Sequence, residues 1–86
     1  MTKKEIATVE LKKPTFANRM KLLDMFDKDH ASETIAQWAC QGLYGCFIDE
    51  LNEEQEEAVG KYSNEDIIAL GTRAIEEFGN PKSGSN

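Results

Sequence analysis

The stretch SNEDIIALGTRAIEEFG, residues 63–79, carries the clearest structural signal in the chain. Its apolar residues recur at steps of three and four, which is the period of one face of an α-helix. These residues are Ile67, Leu70, Gly71, Ala74, Ile75 and Phe78. We therefore predict a helix that buries this face against the rest of the chain.

Both ends of this helix are marked in the sequence. Ser63 suits the N-cap, where its hydroxyl accepts a hydrogen bond from the amide of Glu65 or Asp66. Gly79 suits a left-handed position at the C-terminal end, and Pro81 prevents the helix from continuing. These signals predict a helix that is confined to the region between residues 63 and 79.

The length of 86 residues indicates one domain. A chain of this size buries only roughly 60–65% of its unfolded surface, so each helix contact matters for stability. The hydrophobic content of 40% and the two prolines favour a folded domain over a disordered chain. We predict an all-α domain of three main helices and one short helix.

The net charge of −6 is unevenly distributed. Residues 1–28 carry seven Lys/Arg and four Asp/Glu, whereas residues 29–86 carry three Lys/Arg and twelve Asp/Glu. The acidic majority argues against nucleic acid as a ligand, since phosphate contacts require clustered basic residues. No apolar run approaches the roughly 20 residues that cross a bilayer, and no signal peptide is visible. We expect a cytoplasmic protein without a membrane partner, in which Cys40 and Cys46 stay reduced.

Residues 1–14 form a predicted N-terminal arm or a short strand. In EIATVELK, residues 5–12, Val9 and Leu11 alternate with polar residues, although Ile6 interrupts the pattern. A lone strand would leave its amides unpaired, so it would have to pair with a neighbouring subunit.

Residues 15–79 form the predicted helical domain. Pro14 and Thr15 open a helix over residues 16–28, and residues 29–32 form a turn. Ser32 then caps a second helix, which contains Gly42 and Gly45. These glycines either weaken or bend that helix, or they allow another helix backbone to approach closely, and we favour the close approach. The apolar residues of the second helix are Ile35, Trp38, Ala39, Leu43, Cys46 and Phe47.

The region between the second and last helices is acidic. Asn52 and Gln55 fit a capping box, which predicts a short helix over residues 53–59 with Gly60 as its terminator. Six carboxylates lie within residues 49–57 and form either a solvated face or a docking face for a basic partner. Residues 80–86, NPKSGSN, are predicted to be a disordered tail.

The sequence predicts no catalytic, cofactor or metal site. On a helix, Cys40 and Cys46 would be separated by about 240° and would not bind one metal ion. His30 is the only histidine and has no catalytic partner that the sequence places beside it. The acidic run lacks the ligand spacing and the glycine of a calcium-binding loop. We therefore predict a small interaction module that is not an enzyme.

The order of the segments supplies a family hypothesis. A β-like start precedes PTFANRMKLLD (residues 14–24), WACQGLYGCFIDE (38–50), KYSNEDIIALG (61–71) and an Asn-Pro pair near the end. This order resembles the tail assembly chaperones of long-tailed bacteriophages over about residues 9–81. The chain departs from the family at ELNEEQEEAVG (50–60), where many relatives carry an Asp-x-x-Gly turn, and this leaves its subfamily open.

The resemblance implies assembly without catalysis. Such chaperones hold the tape measure protein in solution, help to recruit tail tube subunits, act in the host cytoplasm and leave before the virion matures. Relatives tend to self-associate in spirals or rings, and many have a longer form made by ribosomal frameshifting. The predicted tail, residues 80–86, is where such an extension would join.

A tape measure protein is a long helical chain with exposed apolar surface, so we looked for an apolar groove. The candidate groove residues are Phe16, Met20, Leu23, Trp38, Leu43 and Phe47. For each of them, packing in the domain core is the more ordinary interpretation. The alternative function is a small acidic adaptor or inhibitor that binds a basic protein surface. High salt would steeply lower the affinity of such an adaptor for its partner, whereas the affinity of a mainly hydrophobic chaperone contact would change little with salt.

Overall fold

The computed structural model describes residues 3–25 and 31–79, and within these ranges it contains five α-helices and no β-strand. The helices are α1 (Lys3–Thr8), α2 (Phe16–Asp24), α3 (Ala31–Tyr44), α4 (Glu53–Gly60) and α5 (Asn64–Ala74). A 3₁₀ turn, Ile48–Glu50, lies between α3 and α4, and a π-helical turn, Ile75–Gly79, follows α5. The prediction of a small all-α domain is confirmed.

Helices α3 and α5 form the main packing unit, which we call the α3–α5 seam. Leu70, Gly71 and Ala74 of the predicted apolar face are buried there. A Cβ atom on Gly71 would overlap the backbone carbonyl oxygen of Ile35 and lie 2.6 Å from its Cγ2. The two helices therefore approach so closely at this point that only glycine fits.

The core lies beside this seam. Leu22 of α2, Trp38 of α3 and Ala74 of α5 are fully buried and pack together. Partly buried apolar side chains surround them, namely Leu11, Leu23, Phe47, Ile75 and Phe78. Three helices that are distant in sequence thus share one small core.

The caps predicted at Ser63, Asn52 and Thr15 are confirmed. Ser63 Oγ accepts a hydrogen bond from the Asp66 amide at 3.1 Å. Asn52 and Gln55 form the reciprocal pair of a capping box at 2.8 and 3.1 Å. Thr15 caps α2 in the same way as Ser63 caps α5. Each cap satisfies an amide that the helix itself leaves unbonded.

The strand predicted over residues 5–12 is wrong. Lys3–Thr8 is the helix α1, and residues 9–15 are irregular. A helix of six residues is marginal alone, because nucleation is costly. Arg73 Nη1 stabilises it by donating hydrogen bonds to the carbonyl oxygens of Ile6 and Val9, at 2.6 and 2.9 Å. A cation at the C-terminal end of a helix also suits the helix dipole.

Gly42 is closely approached, but the nearest neighbour is the irregular segment after α1 and not the predicted helix backbone. A Cβ on Gly42 would lie 3.0 Å from Leu11 Cδ2 and 3.5 Å from Ala74 Cβ. The Lys12 amide also donates a 2.7 Å hydrogen bond to the Gly42 carbonyl. The segment after α1 therefore packs across α3 next to α5.

Two other glycines differ from the prediction. Gly45 does not lie inside α3 but ends it, with a φ of 76° that favours glycine. Cys46 therefore lies beyond the helix, and the predicted angular separation of the cysteines does not apply. Gly79 is not left-handed; it packs against Trp38, where a Cβ would lie 3.1 Å from ring atom Cζ2.

The remaining boundary predictions differ in detail. Helix α2 begins at Phe16 as predicted and is α-helical through Asp24, whereas residues 26–28 lie outside the described residues. Helix α3 already includes Ala31, so residue 32 lies inside the helix and not at the predicted N-cap position. Residues 29–30 and 80–86 lie outside the described residues. Helix α4 extends one residue beyond the prediction, to Gly60. No helix among the described residues is long and apolar enough to cross a membrane.

Candidate protein-binding surface

The outer side of α2 exposes two large apolar side chains. Phe16 is 76% exposed and Met20 is 48% exposed. They are four residues apart on one helix, so they lie on the same side, one turn from each other. We call the surface formed by Phe16 and Met20 the α2 face.

Contacts on the opposite side of α2 fix the orientation of this face. Leu22 is fully buried in the core. Asn18 Nδ2 donates a 3.1 Å hydrogen bond to Oε1 of Gln41, a buried residue of α3. Because these residues hold one side of α2 against the core, Phe16 and Met20 point away from it.

Two partly buried residues border the α2 face. Leu23 follows Met20 by three residues and packs against the core, as does Phe47. The Lys21 ammonium lies 5.7 Å from the centre of the Phe47 ring, which is within the range of a cation–π contact. The α2 face therefore has an apolar centre with a basic group near its edge.

The six candidate groove residues do not form one groove. Trp38 is fully buried and belongs to the core, so it is not accessible to a partner in this conformation. Leu43 is half-buried on α3, and Leu23 and Phe47 are half-buried beside the core. Only Phe16 and Met20 of the six are largely exposed.

The charge around the α2 face differs from that of the rest of the molecule. Residues 12–25 carry four Lys/Arg and one Asp, a net charge of +3. Residues 31–79 carry two Lys/Arg and eleven Asp/Glu, a net charge of −9. Lys12, Lys13 and Lys21 are exposed. Phe16, the most exposed large apolar side chain among the described residues, thus lies in a basic stretch of an acidic chain.

The acidic run forms a second exposed surface. Its six carboxylate side chains are all exposed, namely Asp49, Glu50, Glu53, Glu54, Glu56 and Glu57. Glu57 makes a 3.7 Å ion pair with Lys61, but both side chains are exposed and the pair contributes little stability. This surface is exposed and polar, which fits both sequence interpretations, a solvated face and a docking face for a basic partner.

An open depression of about 320 Å³ lies beside this run. Tyr44, Asn52, Glu54, Gln55 and Ala58 line it. Burial, followed by the nearby Tyr62, raises the pKa of the Tyr44 hydroxyl above 10.0, so this hydroxyl stays protonated at neutral pH. The depression therefore offers hydrogen-bonding groups but no activated nucleophile.

The cysteines are free thiols. Burial, and secondarily the neighbouring Cys46, raises the pKa of Cys40 from 9.0 to about 11. Burial also raises the pKa of Cys46. Both thiols are therefore protonated at neutral pH, and a protonated thiol is a poor nucleophile and metal ligand. The described residues contain no group of three or more His, Cys, Asp or Glu side chains that would hold a metal ion.

Two exposed apolar residues were not singled out by the sequence. Ile68 is 52% exposed and Ile48 is 39% exposed. Ile68 lies next to Ile67, and adjacent residues on a helix point about 100° apart. That offset from the buried stripe is the signal that would have found Ile68. Single exposed apolar residues are common on protein surfaces, so neither one defines a site.

Comparisons with family models, curated proteins and solved structures found no match for this chain. The features that bear on function are the sequence pattern and the two exposed surfaces. Of these, the α2 face combines large apolar side chains with a fixed orientation.

Proposed function

We propose that this chain is a non-enzymatic tail assembly chaperone that binds the tape measure protein through the α2 face and helps to recruit tail tube subunits. The proposal depends on the exposure of Phe16 and Met20, which lie one turn apart on α2. The opposite side of α2 is held against the core by Leu22 and by the hydrogen bond from Asn18 to Gln41. The resemblance of the segment order to phage tail chaperones supplies the identity of the partner.

The size of the α2 face suits a transient contact. Full burial of a Phe or Met side chain contributes about 1.5–3 kcal/mol, so two such residues provide only weak binding by themselves. Several copies along one long partner would bind it more strongly through multivalency. Each copy would still dissociate easily. Easy dissociation is needed because such a chaperone leaves the assembled product.

The proposal is tested by co-expressing the chain with its tape measure protein and measuring the soluble fraction of that protein. The wild-type chain is expected to keep it soluble, whereas Phe16→Asp and Met20→Asp are expected to lose this effect. Ile68→Asp is the matched control, because it places the same charge at another exposed apolar site.

Circular dichroism separates loss of binding from loss of folding. If Met20→Asp unfolds the domain, Met20 belongs to the core and its assignment to the α2 face is wrong. If the tape measure protein aggregates equally with and without the wild-type chain, the chaperone function is rejected.

The alternative function, an acidic adaptor or inhibitor, is favoured by the exposed carboxylates of residues 49–57. In that case a basic partner would bind this run instead of the α2 face. Affinity would fall steeply when the ionic strength rises from about 0.05 M to 0.5 M, because exposed charges are then screened. A pull-down at both salt concentrations distinguishes this function from mainly apolar binding at the α2 face.

A further inference from the structure

We infer that the segment that docks on the α2 face is an acidic amphipathic helix whose apolar residues lie one turn apart. This inference rests on the proposed function and adds the chemistry of the partner segment. It follows from three features of the described residues. These are the net charge of residues 12–25, the net charge of residues 31–79, and the spacing of the exposed Phe16 and Met20 side chains.

Residues 12–25 carry a net charge of +3, in which Asp24, four residues after Met20, is the one carboxylate. The exposed Lys12 and Lys13 directly precede the helix that carries Phe16, and the exposed Lys21 follows Met20. Among the described residues, none of these three lysines forms an ion pair with a carboxylate. Carboxylates on a docking segment would therefore pair with these lysines without breaking an ion pair that they already form.

The negative charge of residues 31–79 disfavours binding of an acidic segment to the rest of the domain. Residues 31–79 have a net charge of −9, so most of the remaining surface repels a negatively charged helix. A basic segment would instead be attracted to the carboxylates of residues 49–57. An acidic segment is thus favoured at the α2 face and disfavoured at competing sites, which is how charge produces specificity.

The geometry favours a helix as the docking segment. Phe16 and Met20 are separated by one helical turn, about 6 Å along the axis. Apolar residues at positions i and i+4 of a second helix have the same spacing, so the two sets can interdigitate. The described residues offer no β-strand edge to which an extended segment would add.

The test uses the full 86-residue chain and synthetic peptides of about 25 residues that cover the tape measure protein in overlapping steps, a length that allows several helical turns. Fluorescence anisotropy gives the affinity for each peptide. We expect the bound peptides to be acidic and to become helical on binding.

Three variants identify the surface. Phe16→Asp is expected to weaken binding more than tenfold, since it removes an apolar anchor and places a carboxylate against an acidic partner. The double variant Lys13→Glu/Lys21→Glu is expected to weaken it about fivefold, a typical size for two exposed charges. Lys61→Glu is the matched control, because Lys61 is equally exposed but lies on the acidic side.

The outcomes separate the inference from the proposed function. Binding that favours basic peptides, or that the lysine reversals leave unchanged, overturns the acidic-helix inference while the chaperone function stands. The absence of binding to every peptide overturns both. Sedimentation of the chain alone provides a further check, because self-association that Phe16→Asp abolishes would mean that a second copy occupies the α2 face and would overturn the inference.

Discussion

The α3–α5 seam and the α2 face use apolar residues at the same helical spacing for opposite purposes. At the seam, small residues bring two backbones together, and Gly71 leaves no room for even one additional carbon atom. On the α2 face, Phe16 and Met20 extend into solvent from a helix whose opposite side is buried. We therefore expect substitutions at the α3–α5 seam to change stability and substitutions on the α2 face to change binding.

The largest expected effect is at the seam. Gly71→Ala places a Cβ against the Ile35 backbone, which cannot move as a side-chain tip can. We expect a loss of about 4 kcal/mol or more in the free energy of unfolding, close to the whole stability of a domain of this size. Urea denaturation followed by circular dichroism measures it.

Gly60→Ala is the matched control for this substitution. Gly60 ends α4, and a Cβ there meets no neighbouring atom within 4 Å. Alanine is expected to stabilise this position by up to about 1 kcal/mol, because it has the higher helix propensity. If Gly71→Ala and Gly60→Ala changed the free energy of unfolding equally, the close packing of Gly71 against the Ile35 backbone would be contradicted.

The two sides of α2 provide a sharper form of the same comparison. Leu22→Ala removes a fully buried side chain and is expected to cost about 3 kcal/mol. Phe16→Ala removes a larger side chain but is expected to change stability by less than about 0.5 kcal/mol, since Phe16 is exposed. Thermal unfolding of both variants tests this, and a large destabilisation by Phe16→Ala would contradict the orientation of α2.

The burial of Cys40 predicts how stability depends on pH. The thiol titrates near 9.0 when unfolded and at about 11 when folded. Between these values the unfolded chain has lost a proton that the native chain keeps, so the free energy of unfolding falls as pH rises. The expected loss is about 2–3 kcal/mol, complete near pH 11. Cys40→Ala should remove this part of the slope; an unchanged slope would assign it to other groups.

The smallest expected effect concerns the N-terminal helix. Arg73→Gln removes the charged donor to the Ile6 and Val9 carbonyls and is expected to cost about 1–2 kcal/mol. Hydrogen exchange should increase at the amides of α1 but not at those of the α3–α5 seam. Lys61→Gln, which breaks only an exposed pair, is the control and should have almost no effect.

Features with local causes were predictable from the sequence. Each of the three capping side chains, Ser63, Thr15 and Asn52, accepts a hydrogen bond from the amide three residues later. Both partners of these caps therefore lie within one short stretch of sequence. The buried stripe of α5 was predictable for the same reason, because its spacing is set within one helix.

Features with distant causes were not predictable. The alternation of Val9 and Leu11 with polar residues lies after α1, and α1 itself is stabilised by Arg73, which is more than 60 residues away. Gly45 and Gly79 look equally suited to end a helix, but Trp38 packs against Gly79 and only Gly45 becomes left-handed. Helical periodicity also gives Phe16 and Trp38 the same apolar signal, whereas tertiary packing exposes one and buries the other.

The contacts of Arg73 also have a consequence for the order of events during synthesis. They join residues that are 67 and 64 positions apart, so the end of α1 gains its donor only after α5 has left the ribosome. At about 5–20 residues per second, this delay lasts roughly 3–13 seconds. During that time the Ile6 and Val9 carbonyls lack this donor, and the contact forms only after residue 73 has been translated.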